Sequence, residues 1–173
     1  DPQVGEPPQS LKSIVVYDGV HLQTPGEITV HTLRGFVQSA PAGSQAKFTP
    51  IVASGAPNNT DLVSFKSGNG FTLVGADKFV RTSGGTSDRA WSNPTFANLS
   101  LAGLQTDNVY GDTVTTRVDH GGNDSPNDCL TWSAIIFSTQ VEDSDGDGLL
   151  DRLESSGGWK EPNDQPLPDL AAM

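Results

Sequence analysis

Leu130-Thr131-Trp132-Ser133-Ala134-Ile135-Ile136-Phe137-Ser138-Thr139-Gln140-Val141 is the stretch that decides the fold. It is dense in β-branched and aromatic residues and is bounded upstream by the Asn/Asp/Pro-rich run Asn123 to Asp128, so it reads as a strand. Working outward, the same signature recurs at Leu11 to Tyr17, Glu27 to Leu33, Ala46 to Ala53, Asp61 to Lys66, Phe71 to Val74, Thr95 to Leu101 and Val109 to Val118. The short run Lys78-Phe79-Val80-Arg81 is a further candidate. Gly, Pro, Asn and Asp clusters separate these runs, and Ser67-Gly68-Asn69-Gly70 is placed to close a hairpin. No long segment ahead of residue 142 has helical periodicity. The expectation is an all-β chain, an antiparallel β-sandwich of jelly-roll or immunoglobulin-like form.

Beyond the last strand the chain changes character. Asp143-Ser144-Asp145-Gly146-Asp147-Gly148-Leu149-Leu150-Asp151-Arg152-Leu153-Glu154 carries carboxylates at positions 1, 3, 5, 9 and 12 of a twelve-residue loop, with a glycine at position 6. That is the ligand spacing of a calcium loop, with the Leu149 carbonyl as a further oxygen. Five carboxylates in so short a segment repel one another unless a cation lies among them. The predicted metal ligands are Asp143, Asp145, Asp147, Leu149, Asp151 and Glu154, and the predicted cofactor is Ca2+. Leu149 to Glu154 can form one or two helical turns before Ser155-Ser156-Gly157-Gly158 stops them.

A paired EF-hand needs an entering helix, and here a strand enters. The loop instead resembles the Asp-x-Asp-x-Asp-Gly loops of thrombospondin type 3 and dockerin-like (EF-hand-like) repeats of secreted proteins. That resemblance covers residues 143 to 154. It implies an extracellular structural calcium site, placed after the β-sandwich domain of a secreted microbial surface protein, and not an intracellular sensor.

The remaining organisation rests on composition. Residues 1–10 hold three prolines and little to bury, and are expected to form an extended arm; 11–141 make the sandwich, 142–158 the calcium loop and short helix, and 159–173 a Pro-rich tail. The tail suggests a junction to downstream domains of a longer protein. A net charge of −11 argues against nucleic acid as a partner, and no apolar run is long enough for a membrane span. The single cysteine, Cys129, excludes an internal disulfide and is expected to pack as a small apolar group.

No nucleophile elbow, zinc-protease or phosphate-loop motif is present, so a non-enzymatic role is expected. His21, His31 and His120 lack zinc-ligand spacing and read as solvated side chains. The loop Asp119 to Asp128 reads as a polar hairpin loop rather than a second cation site. Asn58 and Asn123 are candidate glycan attachment sites in loops, whereas Asn98 falls in a strand. Trp132 reads as core, and Trp91 as an exposed ring near the end of a polar, Gly-rich loop, Thr82 to Pro94.

Two functional classes fit these features. The first is an extracellular, calcium-binding structural or adhesive protein, a self-assembling filament or surface-layer subunit whose N-terminal segment, residues 1–17, donates a strand to a neighbour's sheet. The alternative is a carbohydrate-binding accessory module of a larger secreted hydrolase, with Trp91 as its platform.

Overall fold

The computed structural model describes residues 11–36, 45–53, 61–68, 70–76, 78–79, 91–107, 111–121 and 129–141. They form ten strands: β1 (Lys12–Gln23), β2 (Ile28–Phe36), β3 (Gln45–Ala53), β4 (Leu62–Lys66), β5 (Thr72–Ala76), β6 (Trp91–Ser92), β7 (Phe96–Ser100), β8 (Gln105–Asp107), β9 (Gly111–Asp119) and β10 (Leu130–Gln140). No helix occurs among the described residues. The calcium loop and its short helix, residues 142–158, the arm 1–10 and the tail 159–173 lie outside them.

Two antiparallel sheets result. Sheet A runs β1-β10-β3, with β6 and β7 lying end to end along the far side of β3; sheet B runs β2-β9-β4-β5, with β8 continuing the line of β4 along β9. The pairing is nested: first strand with last (β1 with β10), second with next to last (β2 with β9), β3 with β7, and β4 with β5 through the expected hairpin. Consecutive strands β1 and β2 therefore sit in different sheets, each at the same edge of the sandwich.

Alternation explains the layers. Along β10, Leu130, Trp132, Ile135, Phe137 and Thr139 are buried, while the residues between them are half-buried on the outer face. Phe137 is the hub: its ring lies 4.7 Å from Phe36 of β2 and 6.4 Å from Phe65 of β4, which joins the sheets across the core. Phe48 stacks on Phe96 at 5.8 Å, and Phe79 meets Trp132 edge-on at 5.9 Å. Burying each such ring contributes about 1.5–3 kcal/mol.

Two expectations are corrected. Lys78 and Phe79 lie outside any strand, and Phe79 instead plugs the core beside Trp132. The first strand does not stop at Asp18-Gly19; its register slips between Asp18 and His21, and the strand continues to Gln23. Gly19 adopts φ 156° at that slip, a backbone geometry open to glycine, so the dipeptide makes a bulge within the strand that it was expected to end.

Candidate functional site

Every residue of the predicted calcium set, Asp143, Asp145, Asp147, Leu149, Asp151 and Glu154, lies outside the described residues, as do Asn58 and Asn123. The described chain does define where the Asp-rich segment is attached. The Val141 N–H donates to the Leu11 carbonyl at 3.0 Å, just beyond the terminal pair of the β1–β10 ladder, Lys12 opposite Gln140. The chain consequently enters sheet A at Leu11 and leaves it at Val141 side by side, at one end of the sandwich.

The opposite end holds a buried polar node. Gln23 is fully buried, and its amide nitrogen donates to the carbonyls of Glu27 (2.9 Å) and Val118 (3.0 Å), while its oxygen accepts from the Trp132 indole N–H (2.9 Å). One side chain thus ties β1, β9, β10 and the β1–β2 turn together. Beside it, His120 Nδ1 lies 2.6 Å from Asp61 Oδ1, with both side chains sealed from water. The backbone of His120 also bonds the turn in both directions, its N–H donating to the Glu27 carbonyl and its carbonyl accepting from Gly26. Within the turn, Glu27 accepts from the Thr24 N–H at 2.9 Å, and that bond holds its carboxyl below the usual range.

Between node and edge, the bulge opens a cleft of about 230 Å³ lined by Tyr17, Gly19, His21, His31, Trp132 and Ile135. The His31 ring packs 5.0 Å from the Trp132 ring, and burial pushes its pKa down, with the neighbouring His21 adding to the shift. Its Nε2 is buried without a hydrogen-bond partner among the described residues. His21 Nε2 stands 3.5 Å from Thr29 Oγ1 and 3.6 Å from Glu27 Oε1. A nucleophile–base–orienter relay needs the hydroxyl on one ring nitrogen and the carboxylate on the other. Here both contacts fall on Nε2, so the trio is not such a relay. No three His, Cys, Asp or Glu side chains converge on a metal-sized site among the described residues.

The histidine reading therefore needs correction: His120 is fully buried and His31 half-buried, and only His21 stays largely solvated. No sequence signal pairs His120 with Asp61 across 59 positions. The aromatic readings agree with the structure in exposure, Trp132 in the core and Trp91 52% exposed, but Trp91 lies on the short strand β6 and not on a loop. Asn98 does lie in a strand, β7, exposed and with φ 58°. Cys129 is half-buried just before β10.

The feature that sequence patterning passes over is the outward face of β1. Ile14, Val16, Val20 and Leu22 project into solvent from the edge strand of sheet A. The signal is present, as Leu11 to Tyr17 is apolar on both faces, and a strand buried on one face only does not require that.

The chain matches no family model and no curated protein. Among solved structures it is similar to the infectious bursal disease virus VP2 subviral particle, with 10% identity over 81% of this chain and 37% of that chain, at a TM-score of 0.38. It is also similar to the infectious bursal disease virus Gx strain structure, with 14% identity over 87% of this chain and 38% of that one, at a TM-score of 0.32. The chain thus spans well under half the length of either.

Proposed function

We propose that this chain is a non-enzymatic, extracellular calcium-binding structural or adhesive subunit that self-associates by strand addition at the free edge of sheet A. The observation that carries the proposal is β1 itself. It is an edge strand of twelve residues with four large apolar side chains facing solvent. Natural proteins blunt such edges with charge, proline or cover unless the edge is used. Assembly by β1 gives the subunit of a filament or surface layer a reason for that composition. The strand-donation form of assembly has a constraint, because Lys12–Tyr17 already pairs with β10 of its own chain. Donation of residues 11–17 would require exchange between copies, whereas addition at the open side of β1 requires none.

Calcium enters this reading through the donor set of residues 143–154, all hard oxygen ligands of the kind calcium takes. Bound there, the ion would neutralise the crowded carboxylates and order the segment that continues from Val141. The nested strand pairing favours a jelly roll over an immunoglobulin-like sandwich. In the latter, the first two strands are neighbours in one sheet, and here they lie in opposite sheets. Light scattering with calcium and then with a chelator tests the proposal. Assemblies in calcium that dissociate on chelation are expected; a monomer in both conditions overturns it.

One observation favours the second reading, a carbohydrate-binding accessory module: the exposed Trp91 ring on β6. Glycan binding abolished by Trp91→Ala would establish that reading, and binding unchanged by the substitution would dismiss it.

A further inference from the structure

We infer that β1 pairs with β1 of a second copy across a two-fold axis at Val15, in an antiparallel register that sets Lys12 opposite Asp18 of the other copy. This rests on the self-association reading above and specifies its contact. Three features of the edge lead to it.

The first is hydrogen-bond parity. The Leu11 carbonyl accepts from Val141, so the odd residues of β1 direct their backbone groups at β10. The even residues Lys12, Ile14, Val16 and Asp18 therefore turn their N–H and C=O groups to the side of β1 that has no partner strand among the described residues. An added strand must face even residues with residues of the same kind, and a copy of β1 does so whenever the two paired numbers sum to an even value.

The second is self-complementarity. All four even residues are exposed on the outer face, in the order cation, apolar, apolar, anion, with Ile14 62% and Val16 60% exposed. Run antiparallel against itself with Val15 at the centre, this row matches Lys12 to Asp18 and Ile14 to Val16, and the axis repeats each match. Within its own chain neither charge is answered across the ladder, since Gln140 stands opposite Lys12 and Ala134 opposite Asp18. The outward row of β2, the edge strand of sheet B on the same side of the sandwich, is Ile28, Val30, Thr32 and Arg34. With one charge at one end, it has no such match with itself.

The third is length. The register of β1 breaks between Asp18 and His21, so its regular ladder against β10 begins at Lys12 and ends at Asp18. That segment is centred on Val15, and the bulge ends the added pairing at the same rung as the charge pair. The result is a sheet continuous across two molecules and a closed pair, from which larger assemblies need a further contact elsewhere.

Charge reversal reads the register directly, measured by sedimentation velocity on the full chain in calcium. Lys12→Asp or Asp18→Lys alone places two like-charge pairs in the ladder and weakens association on the order of tenfold or more. An equimolar mixture of the two variants restores it, as does the double variant Lys12→Asp/Asp18→Lys; recovery of this kind is not available to a chain that has merely misfolded. If single reversals leave association intact, or the mixture does not recover, the register is wrong while self-association stands. A wild-type chain that stays monomeric, with its edge open or covered by residues 1–10 or by a foreign strand, overturns both.

Discussion

His120 and Asp61 are 59 residues apart in the chain and 2.6 Å apart in the fold, where neither side chain meets water. A buried polar pair is costly to break, because the surviving partner keeps its desolvation penalty. Asp61→Ala should lower unfolding free energy by about 3 kcal/mol, read from urea denaturation. Asp61→Asn, which retains an oxygen for the same ring nitrogen, should lose less. His31 gives a pH signature. Burial lowers its folded pKa, so the folded protein holds this proton more weakly than the unfolded chain does. The associated stability is complete above the ordinary histidine value of 6.5 and is lost as pH falls from there through the lowered folded value. The melting temperature should therefore decline below that pH, and His31→Phe should flatten this part of the slope. The Glu27 carboxyl, also lowered, acts in a separate window, losing its contribution as pH falls from 4.5 through its own folded value.

At the scale of elements, packing between strands decides more than propensity. Gly75 of β5 illustrates this: a Cβ there would lie 2.5 Å from Phe96 Cε1 and 2.9 Å from the Lys78 side chain. Phe96 is buried and stacked on Phe48, so it has little room to yield. Gly75→Ala should cost about 1–3 kcal/mol, seen as a lower urea midpoint with unchanged slope. Phe137→Ala removes the ring that spans the sheets and should cost about 3–5 kcal/mol by the same measurement. The β10 signature that predicts a strand is the one that makes this core, because its inward residues reach both Phe36 and Phe65. By contrast, Asp18-Gly19 has the composition of a turn and is a bulge, since pairing with β10 resumes at His21 and carries the chain across it. Local chemistry marks a break in regularity there; the neighbouring strand determines its form.

At the scale of the molecule, β1 runs from one end of the described sandwich to the other, with the Val141–Leu11 bond at one end and the Gln23 node at the other. Twelve steps of strand put these ends about 40 Å apart. Calcium acting at residues 143–154 should therefore stabilise the Leu11 end first. Hydrogen exchange should show slower amide exchange on calcium addition near Leu11 and Val141, and little change near Gln23 and His120. Equal change at both ends would contradict bracing at one end.

The amino-acid order determined by itself the alternation of each strand, the punctuation between strands, the hairpin at Ser67 to Gly70 and the donor spacing of residues 143–154. These are local properties, set by side-chain period and turn chemistry over a few residues. The nested pairing of β1 with β10, the union of His120 with Asp61, and the sealing of Gln23 under Trp132 were decided by tertiary structure alone. Each joins residues far apart in sequence, and the loop-closure entropy of such contacts is recovered only when many form together in the core. The exposed row on β1 stands between the two cases. Its residues were legible, but that they face solvent and not a second layer is a consequence of β1 having become an edge.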